Sequence, residues 1–219
     1  MSRKRFVIIG LGNFGSGVAE TLVNEGHEVI AVDFSERNVD RLGSILDRAV
    51  VGDGTSREVI ERAGGGGADA AVVSVGDDIT ASILSTLALR DVGIPSVYVK
   101  VISFDHARVM EKQGVTETIF PERDSAIALG HRLSSSGLLN YVRFGGNFSI
   151  QEMGVPDRWE GQSLRELDLR QRYQIQVIAV HDMLRDEVLP VPDPDRPLTA
   201  SDTLIISGRE KDLVRLAKL

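Results

Sequence analysis

Features that would mark several classes of protein are missing from this chain of 219 residues. It has no cysteine, which excludes disulfide bonds, thiolate catalysis and cysteine-ligated metals. No apolar run approaches the roughly 20 residues of a membrane-spanning helix, and the basic N-terminus leads into an apolar segment that breaks at Gly10 without a cleavage signal. Acidic residues outnumber basic ones by 32 to 25, and the net charge of −7 disfavours binding to nucleic acid. We therefore expect a cytoplasmic protein with no nucleic acid partner.

The most informative motif lies near the N-terminus, where a fully apolar strand leads into GLGNFG at residues 10–15 and then into a helix-like stretch. In this order Gly10 allows a tight turn, Gly12 lets the main chain approach a phosphate, and Gly15 lets the helix pack close to the strand. The next apolar strand, EVIAV, ends in Asp33, 18 residues after Gly15, where a carboxylate accepts hydrogen bonds from ribose hydroxyls. The spacing predicts a dinucleotide or adenine nucleotide site.

Short β-branched runs alternate with helix-period segments through the first 140 residues. The predicted strands are Phe6–Ile9, Glu28–Val32, Ala49–Val51, Ala70–Val75, Ser96–Ile102 and Glu117–Phe120. The predicted helices between them are Gly15–Glu25, Glu36–Ile45, Ser56–Ala63, Ile79–Val92 and Asp105–Gln113. This alternation predicts a Rossmann-like, doubly wound parallel sheet of the α/β class, in which a ligand lies over the carboxyl ends of the strands.

Three later segments follow those strand ends. GDGT at residues 52–55 has the glycines, acid and hydroxyl that suit the edge of an adenine, although Thr55 or Ser56 would equally cap the next helix. Gly76 follows the fourth strand and permits close approach of a ligand. Lys100, in an otherwise apolar strand, reaches either solvent or a phosphate.

The last part of the chain has a different pattern. Ser125–Leu139 is predicted to be one long crossover helix, which places the domain boundary between residues 140 and 141. Residues 141–219 then form a smaller α+β domain. Its predicted elements are strands Phe148–Met153, Ile175–Val180 and Thr203–Ile206, helices Ser163–Leu169 and Glu210–Leu219, and a rigid proline-rich loop, Pro190–Pro197.

These segments together resemble the RCK (regulator of K⁺ conductance) proteins, specifically the soluble Ktr/Trk-type subunits. The resemblance covers nearly the whole chain. In the first domain it rests on VIIGLGNFG, VDFSERNV, GDGT, VVSVGDDITASIL, VYVKV and TIFPERD, and in the second on SLRELDLRQRYQIQVIAV and SDTLIISG. It implies a regulatory subunit rather than an enzyme, which binds a membrane-embedded potassium channel or transporter at the inner face of the cell membrane. Gating would follow from ligand-dependent rearrangement of a homo-oligomeric ring, commonly an octamer.

The resemblance also implies ligands and site residues. The first domain would bind ATP or ADP, or alternatively NAD(H), with Mg²⁺ or Ca²⁺ at Glu122, and the second would bind cyclic di-AMP near Leu169–Ile178 with Arg170 available for phosphate. Asn13 departs from many ATP-responsive relatives, which have arginine there for the terminal phosphate. The candidate nucleotide-binding residues are Gly10, Gly12, Asn13, Phe14, Gly15, Asp33, Asp53, Gly54, Thr55, Ser74, Val75, Gly76, Lys100 and His106.

Two other functions fit a dinucleotide-binding motif. A nicotinamide-dependent oxidoreductase needs an acid or base with a partner, and none of His27, His131 and His181 has a neighbour in the sequence that suggests one, while His106 is expected near the nucleotide. A nucleotide-sensing transcriptional regulator needs a DNA-binding element, and the first strand begins by Phe6 without room for a winged helix before it.

Overall fold

The computed structural model describes residues 2–134, 138–144 and 147–217. It divides into two units, with the boundary between Glu122 and Arg123. In the part of the chain so described, no helix is long and apolar enough to cross a bilayer.

The N-terminal unit has a six-stranded parallel sheet in the order β3-β2-β1-β4-β5-β6, which confirms the predicted fold class. Its strands are β1 (Arg5–Ile9), β2 (Glu28–Asp33), β3 (Arg48–Val51), β4 (Ala70–Val73), β5 (Ser96–Lys100) and β6 (Glu117–Ile119). The helices that connect them are α1 (Asn13–Asn24), α2 (Glu36–Leu42), α3 (Arg57–Arg62), α4 (Ile79–Asp91) and α5 (Phe104–Lys112).

Strand β1 shows how the sheet is covered on both faces. Its residues alternate between the faces, as the geometry of a strand requires. Ile9 packs in a core with Ile60 of α3 and Leu89 of α4, whereas Ile8 packs in a second core with Ala19 of α1 and Leu42 of α2. Burial on both faces explains why the strands read as continuous apolar runs.

Side-chain caps fix where the helices begin, and they settle one of the alternatives. Ser56, not Thr55, caps α3, because its hydroxyl accepts a hydrogen bond from Val59 N at 3.4 Å. Asp78 caps α4 by accepting from Ala81 N at 2.8 Å. Each cap lies just after the loop that follows a strand, so it sets the direction of that loop at the edge of the sheet.

The predicted helix Ser125–Leu139 is wrong at both ends. Helix α6 runs over Pro121–Ser134, and it begins at a proline, whose fixed φ and missing N–H suit the first helical position. Leu138–Phe144 instead forms β7, which pairs antiparallel with β8, so strand pairing overrides the helical spacing of the leucines there.

The C-terminal unit is an antiparallel five-stranded sheet in the order β10-β9-β11-β8-β7. Its further elements are β8 (Phe148–Gly154), a 3-10 turn at Asp157–Trp159, α7 (Leu164–Leu167), α8 (Leu169–Tyr173), β9 (Gln176–Asp182), β10 (Glu187–Leu189), β11 (Asp202–Arg209) and α9 (Glu210–Ala217). This confirms the smaller α+β fold. The predicted helix Ser163–Leu169 is broken, because Asp168 adopts a left-handed conformation between α7 and α8. Strands β7 and β10, both at sheet edges, were not predicted.

Candidate nucleotide-binding site

A cavity of about 290 Å³ opens in the N-terminal unit at the carboxyl ends of β1 to β4. This is the position at which ligands bind in doubly wound sheets. The wall combines apolar strand ends, glycines and a few polar side chains: Ile9, Gly10, Gly12, Val32, Asp33, Phe34, Asn38, Gly52, Gly54, Thr55, Ser74, Val75, Gly76, Asp78, Ala81 and Ser85. Of the predicted residues, it brings together Gly10, Gly12, Asp33, Gly54, Thr55, Ser74, Val75 and Gly76.

The glycine turn between β1 and α1 has the geometry that the motif predicts. Gly10 has a φ of +92°, and a Cβ there would lie 2.2 Å from the carbonyl oxygen of Ser74. A Cβ on Gly15 would lie 1.9 Å from the carbonyl oxygen of Gly10. Gly12 has nothing within 4 Å of its Cβ position and caps α1 without a side-chain bond, so the first N–H groups of the helix are open to an anion.

Asp33 is held at the cavity wall mainly by main-chain donors. Leu11 N donates to its Oδ2 at 2.5 Å and Ser35 N to its Oδ1 at 2.7 Å. Asn38 Nδ2 lies 3.3 Å from both oxygens. These bonds tie the end of β2 to the glycine turn and to the start of α2, so the carboxylate and the turn keep a fixed spacing.

The loop after β3 forms another wall. A Cβ on Gly54 would lie 2.3 Å from Ile9 Cγ2, so only glycine fits at this position without displacing the side chain of Ile9. Asp53 Oδ1 accepts hydrogen bonds from Thr55 N at 2.8 Å and from Thr55 Oγ1 at 2.6 Å. Thr55 lines the cavity, while Asp53 holds the loop in shape. A contact between Asp53 and a base stays a prediction.

The other predicted residues do not line this cavity. Asn13 and Phe14 line a separate groove on the surface of α1. His106 is buried in α5 with its Nε2 3.1 Å from Ser82 Oγ, and burial lowers its pKa. Lys100 Nζ forms an ion pair with Glu122 Oε1 at 2.5 Å, and this bond lowers the pKa of Glu122.

The described residues do not supply Glu122 with the further side-chain ligands that a metal site needs. Its carboxylate is 60% exposed and is paired with an ammonium group, whereas Mg²⁺ and Ca²⁺ require six or more oxygen ligands. Across residues 2–134, 138–144 and 147–217, no group of three or more histidine, aspartate or glutamate side chains is placed to hold a metal ion. Any cation at Glu122 would need ligands from elsewhere.

Several cavity residues were missed by the sequence analysis. Asp78, Ala81 and Ser85 recur at helical spacing along one face of α4, and Asn38 lies in the first turn of α2. The spacing on α4 was a usable signal, because residues three and seven positions after a helix cap lie on the same face of the helix as the cap. Phe34 and Asn38 carried no signal that distinguishes them from ordinary surface residues.

His181 has partners that the sequence did not suggest. In the C-terminal unit its Nδ1 lies 3.1 Å from Glu152 Oε1 and its Nε2 lies 3.2 Å from Asp186 Oδ1. The bond with Glu152 raises the pKa of His181. Lys4 N donates to His27 Nδ1 at 3.4 Å, and the side chain of His131 lies outside the described residues. Among the histidines whose side chains the structure describes, His181 is thus the one with carboxylate partners, and it belongs to the C-terminal unit, whereas the cavity belongs to the N-terminal unit.

Comparison with known proteins assigns both parts of the chain. Residues 6–121 match the TrkA-N domain and residues 152–219 match the TrkA-C domain. The chain is 34% identical to the Ktr system potassium uptake protein C of Bacillus subtilis over 99% of this chain and 97% of that protein. It is 31% identical to the Ktr system potassium uptake protein A of Vibrio alginolyticus over 98% of this chain and 97% of that protein.

A solved structure has the same fold. The GsuK channel superposes on 98% of this chain with a TM-score of 0.70 and 20% identity, and the chain spans 39% of that channel. The full-length similarity to Ktr proteins agrees with the glycine turn, the aspartate at the end of β2 and the two-unit architecture. The chain therefore belongs to the family of TrkA-N and TrkA-C proteins, the RCK family of potassium uptake systems.

Proposed function

We propose that the chain is a nucleotide-binding regulatory subunit that gates a membrane-embedded potassium channel or transporter. The observation that carries the proposal is the cavity, in which the open N-terminus of α1 and the fixed carboxylate of Asp33 lie on one wall. Two relatives that match nearly the full chain are named as Ktr potassium uptake proteins, which supports the same role here.

The proposed ligand is ATP or ADP, with NAD(H) as the alternative. A phosphate would sit at the N–H groups that follow Gly12. A ribose hydroxyl would replace Asn38 at Asp33, because the Asn38 contacts, at 3.3 Å, are the longest that the carboxylate makes. The NAD(H) alternative is supported by the solved structure of the GsuK channel bound to NAD, which has a related fold.

The proposed assembly is a homo-oligomeric ring, with eight copies as the expected number, at the cytoplasmic face of the membrane. Helix α6 exposes Leu129 and Leu133, with Ile127 partly exposed, as apolar surface for a neighbouring copy to cover. The proposal keeps α6 with the functional N-terminal domain, as predicted for residues 1–140, although residues 138–140 belong to β7 and pair with β8 in the C-terminal unit. Lys100 and His106 would reach the ligand only after a rearrangement.

Two further ligands belong to the same proposal. A divalent cation would bind Glu122 with ligands from a second copy or from phosphate oxygens, displacing Lys100. Glu122→Gln would then abolish the extra thermal stability that Mg²⁺ or Ca²⁺ gives to the ATP-bound protein. Cyclic di-AMP would bind the C-terminal unit, where Arg170 and Ile178 line a cavity of about 710 Å³.

The experiment that tests the proposal is a calorimetric titration of the chain with ATP, ADP and NADH. We expect saturable binding of at least one of them. The oxidoreductase alternative predicts turnover that is visible in the absorbance of NADH, with His181 and its carboxylate partners as the candidate acid. A repressor would shift the mobility of DNA. Absence of binding by all three nucleotides would contradict the proposal.

A further inference from the structure

The wall of the nucleotide cavity includes a buried polar group that has no hydrogen-bond partner among the described residues. Ser85 on α4 lines the cavity, and its side chain is fully buried. Its hydroxyl oxygen has no hydrogen-bond partner among the residues that the structure describes. Burial of an unpaired hydroxyl is costly, and native structures contain few such groups. The position therefore calls for a partner that the chain itself does not supply.

Two neighbouring side chains on α4 are paired within the protein. Ser82 Oγ lies 3.1 Å from His106 Nε2, and Thr86 Oγ1 donates to the carbonyl oxygen of Ser82 at 2.9 Å. Both side chains are as buried as Ser85, but they do not belong to the described cavity wall. Ser85 thus differs from Ser82 and Thr86 in two respects that a ligand contact requires: it lines the cavity, and its hydroxyl has no partner among the described residues.

The position of Ser85 indicates which part of a nucleotide it would meet. Asp78, Ala81 and Ser85 lie along one face of α4. Ser85 comes seven residues after the cap, Asp78, so this wall of the cavity extends about 10 Å along the helix axis. Ile9 and Gly54 also line the cavity, and they pack so closely that a Cβ on Gly54 would meet Ile9. The glycine turn and Asp33 account for phosphate and ribose, which leaves the base to the rest of the lining, namely the loop with Gly54 and Thr55 and the face of α4 that includes Ser85.

We propose that the Ser85 hydroxyl hydrogen-bonds to a polar atom on the edge of the purine base and so contributes to base selection. The proposal rests on the nucleotide-binding function proposed above. A serine hydroxyl both donates and accepts, so it pairs with a ring nitrogen or with the exocyclic amino group. A buried group that a ligand completes disfavours analogues that lack the matching atom, because the hydroxyl then stays unpaired.

The test combines Ser85→Ala with base analogues. The probes are ATP, its 1-deaza, 3-deaza and 7-deaza analogues, and inosine triphosphate, each titrated calorimetrically. In the parent chain one analogue should bind roughly three- to tenfold more weakly than ATP because it lacks the atom that Ser85 contacts. Ser85→Ala should bind ATP weaker by a similar factor, and it should no longer distinguish ATP from that analogue.

The stability of the ligand-free chain gives a second readout, with Ser82→Ala as the matched control. Ser85→Ala removes an unpaired buried hydroxyl and should raise the ligand-free Tm by about 2–4 °C. Ser82→Ala removes the partner of His106 and should lower the Tm, with the ranking of analogues unchanged. A hydroxyl with a purely structural role would not combine a higher Tm with weaker binding.

The outcomes separate the two proposals. If Ser85→Ala keeps the parent's affinity for ATP and the parent's ranking of analogues, the inference about Ser85 is overturned while the nucleotide site stands. If the parent chain binds none of the adenine nucleotides, the proposed function itself fails.

Discussion

The two units hold a carboxylate in place by different means. In the N-terminal unit, main-chain N–H groups of Leu11 and Ser35 donate to Asp33. In the C-terminal unit, Glu152 is held by side chains: Thr203 Oγ1 donates to Oε1 at 2.6 Å, Asn140 Nδ2 donates to Oε2 at 2.5 Å, and His181 lies at 3.1 Å. The first arrangement depends on backbone shape, and therefore on glycine. The second includes a histidine, whose pKa the bond with Glu152 raises.

The largest effect should come from breaking the backbone shape with Gly15→Ala. A Cβ would lie 1.9 Å from the main-chain oxygen of Gly10, so the turn or α1 must move. We expect a loss of about 3 kcal/mol or more in the free energy of unfolding, together with loss of nucleotide binding. Denaturant unfolding and calorimetry measure the two effects.

Gly17→Ala is the matched control on the same helix, because nothing lies within 4 Å of its Cβ position. Alanine is the better helix former by roughly 0.5–1 kcal/mol, so this variant should be slightly more stable than the parent. Equal stability changes in the two variants would show that the close approach of α1 to β1 does not matter.

Asp33→Ala should have the next largest effect, and it acts at the ligand. The variant loses the carboxylate that faces the cavity, and we expect ten- to hundredfold weaker nucleotide binding, or ~1.5–3 kcal/mol, from the loss of charge-assisted hydrogen bonds. Calorimetry measures the affinity, and circular dichroism checks that the variant folds. Unchanged affinity in a folded variant would remove Asp33 from the site.

We expect a smaller effect on nucleotide affinity at Asn13, where the side chain would add to the phosphate contacts made by the main-chain N–H groups. A neutral amide gives little preference for the terminal phosphate, so ATP and ADP affinities should agree within about tenfold, or ~1.4 kcal/mol. Asn13→Arg should widen the gap in favour of ATP. A parent chain that prefers ATP by much more than tenfold would show that another cation reads the terminal phosphate.

The C-terminal unit should show the pH dependence that the comparison predicts. The hydrogen bond between Glu152 and His181 raises the pKa of His181 above its ordinary value of 6.5. This pair therefore stabilises the fold fully below pH 6.5, and the stabilisation is lost as the pH rises through the raised pKa. Burial raises the pKa of Glu152, but hydrogen bonds from Thr203, Asn140 and His181 outweigh it and lower the pKa below 4.5. The Glu152 contribution is therefore lost only when the pH falls through that lowered value.

Trp159, the single tryptophan of the chain, is buried in the core of this unit, so its fluorescence reports unfolding there. We expect the denaturant concentration at the midpoint of unfolding to decrease as the pH is raised from 6 to 8. The slope of this midpoint against pH should be smaller in His181→Gln. His27→Gln, in the other unit, is the control and should keep the parent's slope. Identical slopes in both variants would mean that His181 does not link pH to stability.

Much of the N-terminal unit could be predicted from the sequence, because its signals are local. Gly10, Gly12 and Gly15 are required by backbone geometry, and Asp33 ends an apolar strand, so the order of residues alone fixes their relation. The ion pair of Lys100 with Glu122 could not be predicted, because it depends on how separate segments meet in the fold.

The C-terminal unit was harder to predict for the same reason. Strands β7 and β10 lie at sheet edges, and each pairs antiparallel with the adjacent strand in the sequence, so their conformation depends on that partner rather than on their own residues. The Glu152–His181 contact joins residues 29 positions apart on β8 and β9, which are separated in the sheet by β11. The unpaired hydroxyl of Ser85 likewise could not be predicted from the sequence, because a serine hydroxyl in a helix usually forms a hydrogen bond with a nearby backbone carbonyl.

Light scattering of the purified chain without ligand, with ATP and with ADP tests the central claim most directly. A regulatory subunit that passes on its nucleotide state must be an oligomer whose interfaces respond to the ligand. The account predicts a mass several times that of the 23.8 kDa monomer and a hydrodynamic radius that differs between ATP and ADP. A monomer under all three conditions would contradict it.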